Sequence, residues 1–228
     1  MDTTTSSPGT DLKLFAILLG CTPKGRNIEQ HDVFFGVANH LDDLSNDIKE
    51  FWYKEIIDEL SGAVKSLLPD LDSTAMHAEL LKKLSRRDKV HIDAWTKVEY
   101  VDSYKVSVQP KSSAPDSSEQ KLYFINLGGY KEHEFEEYHK KLFVVATKVS
   151  EALEKIMVHP FMTEYSAESL GIAGCAHLDD QYKIGFEADD VVCVSEAIGD
   201  NYTLVLEPVA SHPADTLVVG YTHINYPD

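Results

Sequence analysis

Lys13-Leu14-Phe15-Ala16-Ile17-Leu18-Leu19-Gly20 and Lys121-Leu122-Tyr123-Phe124-Ile125-Asn126-Leu127-Gly128 follow one pattern, 108 positions apart. Each is a mostly apolar run opened by Lys and ended by Gly, the signature of a buried strand with a turn after it. The match continues without a gap: Glu29-Gln30-His31 falls on Glu137-Tyr138-His139, and Phe35-Gly36-Val37-Ala38 on Phe143-Val144-Val145-Ala146. From Lys13/Lys121 to Trp52/Pro160 there are 11 identities in 40 pairs. Ordinary residue usage gives roughly two or three by chance. The pattern predicts a tandem duplication of one supersecondary unit.

Leu14 to Leu19 and Val33 to Ala38 read as a strand pair, joined by the turn-rich Thr22-Pro23-Lys24-Gly25-Arg26-Asn27. Leu41, Leu44, Ile48, Phe51 and Trp52 follow at helical spacing, with Asp42 and Asp43 at the favourable N-terminal end. The helical stretch runs through Leu60 to a stop at Leu67-Leu68-Pro69, and a second helix spans about Ser73 to Leu84. In the second copy, Ser150-Glu151 offers an N-cap and Leu153, Ile156 and Met157 an apolar face.

A second block of correspondence has an offset of 86: His91-Ile92-Asp93 against His177-Leu178-Asp179, and Val106 and Val108 against Val192 and Val194. It predicts two more strands per copy. The expected fold class is α+β: a duplicated β-β-α-β-β unit, mostly antiparallel sheet, with helices on one face. The expected divisions are a flexible tail (1–11), a first unit with extra helices (12–109), a Ser/Pro-rich linker (110–120), and a second unit (121–228). Tyr202 to Leu206 and Thr216 to Tyr221 are extra strand-like runs in that second unit.

The net charge is −17, and the stretch from Lys121 to Asp228 holds 7 basic against 18 acidic residues. A surface of this sign repels phosphate backbones, which argues against nucleic acid as a partner. Cys21, Cys175 and Cys193 are odd in number and form no CxxC pair, so neither a disulfide framework nor a zinc ribbon is indicated. The apolar run Leu14 to Leu19 is too short to cross a bilayer, and the first residues lack a signal peptide's basic start. A cytoplasmic protein without membrane contact is the expectation.

Ile28-Glu29-Gln30-His31-Asp32-Val33-Phe34-Phe35-Gly36-Val37, His91-Ile92-Asp93-Ala94-Trp95 and Val101-Asp102-Ser103-Tyr104-Lys105-Val106 resemble a bacterial family, the domain of unknown function numbered 1543. Tyr123-Phe124-Ile125-Asn126-Leu127-Gly128-Gly129-Tyr130 is similar. The resemblance covers most of residues 12 to 195. It implies a bacterial origin and a two-copy arrangement, and it transfers no catalytic residue.

Glu29 with His31, His91 with Asp93, and their counterparts Glu137, His139, His177 and Asp179 form the candidate polar site. On an extended strand, residues i and i+2 share one face of the sheet. Such faces brought together would offer mixed nitrogen and oxygen ligands to a divalent ion, or an imidazole–carboxylate pair for acid/base work. The alternative is a polar network that satisfies the hairpin ends. Cys175 lies near His177 and Asp179, but two residues apart on one strand is a poor angle for proton transfer; a buried, inert thiol is the plainer reading. The charged run from Lys131 to His139 reads as a solvated acidic loop. HExxH, GxSxG and GxGxxG motifs are absent from the sequence. The primary expectation is therefore a noncatalytic binding or assembly module, with a protein or small molecule as partner. The alternative is a metal-assisted hydrolase using the Glu-x-His and His-x-Asp pairs, with no particular cofactor specified.

Overall fold

A computed structural model of the chain describes residues 11–68, 72–111, 119–130, 135, 137–156 and 191–224. It is an α+β fold whose strand pairings are antiparallel. Two compact units are present: Met1–Glu99 with Ala214–Asp228, and Tyr100–Pro213.

The first unit is built on β1 (Lys13–Cys21), flanked by β2 (Gln30–Ala38) and β3 (His91–Lys97). Phe15, Ile17, Leu19 and Cys21 face one side and enter a core with Phe34, Ala38 and Ile92. The helices α1 (Ser45–Leu67) and α2 (Ser73–Arg87) cover that side with Ile48, Tyr53, Ile57 and Leu84. Leu14 and Ala16, on the opposite face of β1, are buried as well. This is why β1 reads as a continuous apolar run instead of an alternating one.

Local chemistry sets the helix ends. Asp72 caps α2, its Oδ1 accepting from Thr74 N at 2.9 Å and from Ala75 N at 3.4 Å. Leu68 leaves helical geometry (φ −134°, ψ 76°), as a residue before proline must. The helix expected over Ser73 to Leu84 is thus present, one turn longer at its C-terminus.

The fourth strand of this sheet comes from the far end of the chain. β10 (Leu217–Thr222) pairs with β3, giving the order β10-β3-β1-β2. Sequence reading recognises this strand as a strand but gives no sign of its partner. Its start is tied by Thr96 Oγ1 donating to Thr216 O at 3.1 Å and by Glu99 N donating to Asp215 Oδ2 at 2.9 Å. Past its end, Ile224 is buried in the core.

In the second unit, β6 (Lys121–Tyr130) pairs with β7 (Glu137–Ala146) and β8 (Val191–Cys193), and α3 (Val149–Ile156) follows β7. The β6–β7 register repeats the β1–β2 register at the 108-residue spacing: Lys13↔Ala38 and Gly20↔His31 in one, Lys121↔Ala146 and Gly128↔His139 in the other. A separate sheet joins β4 (Tyr100–Val101), β5 (Tyr104–Pro110) and β9 (Tyr202–Pro208).

The offset of 86 does not hold where it is described. Val106 lies in β5, whereas Val192 lies in β8, which pairs with β6 much as β3 pairs with β1. Val194 begins a one-turn helix. Short β-branched runs resemble one another whatever their place in a sheet, so identity at isolated valines misassigned the strands.

The start of α3 also differs from expectation. It begins at Val149, before Ser150, and its first turn is fixed by Glu151. That carboxylate accepts from Thr147 N at 2.8 Å and from Thr147 Oγ1 at 2.7 Å. The Thr147 hydroxyl, the Thr147 amide and then Lys155 hold the Glu151 carboxyl down at about 2. A folded-state value below the unfolded one means stabilisation that is fully present above about pH 4.5 and lost as pH falls toward 2. Glu151→Gln is therefore expected to flatten the pH dependence of stability over that window, read from urea midpoints between pH 5 and pH 2.

Candidate metal centre

Gly20 sits where the two expected polar pairs meet. In the sheet it lies opposite His31 on β2 and opposite His91 on β3. Glu29 precedes β2 and shares the face of His31 by the two-residue period. The β1–β3 register shifts between Leu18 and Leu19, whose partners are Ala94 and Ile92. Asp93 is left over as the extra residue of a bulge, the device by which a strand re-aims a side chain.

The result is one cluster on the sheet face away from α1 and α2. His91 Nε2 lies 2.9 Å from Glu29 Oε1 and 3.2 Å from Asp93 Oδ1. His31 Nε2 faces the other oxygens, 3.5 Å from Glu29 Oε2 and 3.3 Å from Asp93 Oδ2. One imidazole thus addresses one oxygen of each carboxylate, and the second imidazole addresses the remaining oxygen. The His91 side chain is 12% exposed and that of His31 46% exposed, so the cluster has a closed side and an open side.

Asp93 Oδ2 is buried and accepts no hydrogen bond; the His31 contact is close enough for ion pairing but lacks hydrogen-bond geometry. A buried carboxylate oxygen in that condition costs free energy unless a positive charge sits nearby. Ligand atoms of Glu29, His31 and Asp93 all lie within 4.8 Å of one another. Ligands about 2.0–2.2 Å from a tetrahedral ion are roughly 3.4 Å apart, close to the 3.3 and 3.5 Å separations from His31. His91 then supports both carboxylates from outside the coordination sphere.

Gly20 makes room for this. A Cβ there would lie 2.4 Å from Asp93 Oδ2, 2.9 Å from His91 Nε2 and 3.0 Å from Glu29 Oε1. The sequence shows a glycine ending both strands, but gives no hint that side chains from two other strands converge over the first.

The connection that delivers Glu29 is itself anchored. Arg26 N donates to Pro23 O at 3.0 Å, with Gly25 at φ 89°, the conformation a type II turn needs at its third position. Lys24 N donates to Asp88 Oδ1 at 3.1 Å, and Arg87 Nε to Asp88 Oδ2 at 2.7 Å. The buried Tyr53 hydroxyl donates to the Asp88 carbonyl. On the helix side, burial first, then Asp88 and Glu29, push the Cys21 thiol up to about 11. It faces the core, where burial favours the protonated thiol over the nucleophilic thiolate.

Of the remaining candidates, His139 is an exposed residue of β7 opposite Gly128. Glu137 begins β7 and pairs with Tyr130. Cys175, His177 and Asp179 lie outside the described residues.

No helix among the described residues is long and apolar enough to cross a membrane. A comparison with curated proteins finds no match. Among solved structures, the chain is similar to protein Il1583 from Idiomarina loihiensis, known from a crystal structure. The TM-score is 0.54 at 18% identity, covering 95% of this chain and 100% of that one. The likeness is one of fold. The sequence match is more local, and it falls on the segment that supplies Glu29, His31, β2 and the first half of α1: residues 26–58 match the family described as Domain of Unknown Function (DUF1543).

Proposed function

We propose that this chain is a metal-binding module that takes one divalent first-row transition ion on Glu29, His31 and Asp93. The observation that carries the reading is the buried, unbonded Asp93 Oδ2, placed 3.3 Å from His31 Nε2 with Glu29 completing the set. Two carboxylate oxygens and one imidazole nitrogen suit manganese, iron or zinc better than calcium or copper(I). The shared β1–β2 and β6–β7 register supports the further reading that the chain is a tandem duplication.

The test is to titrate dialysed, untagged protein with Mn²⁺ and Zn²⁺ and count bound ions by native mass spectrometry. One ion per chain is expected. His31→Ala and Asp93→Asn are each expected to weaken binding by at least the roughly 10–100-fold that loss of an outer partner causes. Unchanged binding in both variants would remove these residues from the site.

Metal-assisted hydrolysis is a second reading, favoured by one observation. His31 forms the open side of the cluster, its side chain 46% exposed. An ion on the exposed side of His31 would keep coordination positions for water, and a bound water acidified by the ion is a nucleophile near neutral pH.

A further inference from the structure

We infer that Tyr221 is a positioning residue of the cation site, and that filling the site fixes the C-terminal strand β10. The inference rests on the metal reading above. His91 touches both carboxylates, so its ring orientation decides where their free oxygens point. The Tyr221 ring lies against it, centroids 4.3 Å apart and planes inclined by 34°. His223 packs on the other part of that tyrosine at 4.8 Å and 81°.

The backbone is shaped to deliver this ring. β10 pairs with β3 through Val219↔Ala94 and then Thr222↔Ile92, so its register breaks opposite Asp93, the residue that the β1–β3 bulge also leaves unpaired. Gly220 and Tyr221 occupy the break. Gly220 has φ 138°, and a Cβ there would meet nothing within 4 Å, so backbone conformation and not crowding calls for glycine. β10 is anchored at its start by Asp215 and Thr216 and beyond its end by Ile224, leaving the middle to bow out and lay Tyr221 over the imidazole. Tyr221 itself is 59% exposed, so its ring contacts with His91 and His223 are made at the surface.

An ion that fixes the two carboxylates restrains His91, and His91 restrains Tyr221 through the ring contact. By linkage, the ion favours the fixed form of β10 by the same factor by which that form binds the ion more tightly.

The experiment titrates the full chain and its variants with Mn²⁺ and Zn²⁺ and follows amide hydrogen exchange over 217–224 with and without metal. Tyr221→Phe keeps the ring and should bind as the wild type does. Tyr221→Ala should bind about tenfold or more weakly. Metal should slow exchange in β10 of the wild type and of Tyr221→Phe, but not of Tyr221→Ala. Tyr221→Leu keeps apolar bulk without a ring and should behave as alanine does, which covers the case of an alanine variant that fails to fold. Wild-type protein that binds metal with the same affinity as Tyr221→Leu, or without slowing β10, overturns this inference alone. Wild-type protein that takes no ion overturns it together with the metal reading.

Discussion

Gly20→Ala is expected to abolish ion binding at the proposed centre and to destabilise the first unit by about 1–3 kcal/mol, the usual cost of forcing a methyl group into filled space. Its Cβ would fall 2.4 Å from Asp93 Oδ2. The other close atoms belong to His91 and Glu29, so the side chains can give way only by leaving the positions that make the cluster. Ion affinity should therefore fall by more than the stability loss alone would suggest. Gly62→Ala is the matched control. Gly62 lies in α1 with nothing within 4 Å of a new Cβ, and alanine there should stabilise the helix by about 0.5–1 kcal/mol. Urea unfolding and Mn²⁺ titration of the two variants check both halves. A Gly20→Ala protein that binds metal normally would mean that the cluster has slack which its close contacts do not show.

Ile17→Ala is expected to have the largest effect on folding without touching a polar group, about 2–5 kcal/mol. Ile17 is wholly buried at the centre of β1, opposite Phe34 on one side and Trp95 on the other. Two strands and both helices pack on the same core, so the cavity has little means of collapse. Chemical denaturation should show a lower midpoint at unchanged slope. Because β1 carries Gly20 three residues further on, metal should restore part of the lost stability by mass action. A loss under 1 kcal/mol would place Ile17 outside the core.

How much of this was legible follows from what each residue's signal depends on. The two hairpins were readable because β1 and β2 are close in sequence and their periods of two sort polar from apolar positions. The Glu-x-His and His-x-Asp pairs were readable for the same reason: a two-residue period needs no knowledge of neighbours. Their meeting was not. It depends on β3 pairing with β1 across two intervening helices, and on a one-residue bulge at Asp93 that no residue type announces. The role of Gly20 was invisible until strands on both sides were in place.

Tyr221 and β10 mark the limit more sharply. Thr216 to Tyr221 read as a strand, but nothing local shows that it returns to β3, more than a hundred residues away. The valines that suggested an offset of 86 failed for a related reason. Strand propensity identifies a strand and is silent about which neighbour it joins.

The most direct test of the central claim is anomalous diffraction from crystals grown with Mn²⁺ or Zn²⁺, recorded near the metal's absorption edge. One strong peak is expected in the first unit, bonded to Glu29, His31 and Asp93, with His91 against both carboxylates and no bond from His91 to the ion. A peak elsewhere, or a fully occupied crystal with none at this cluster, would contradict it.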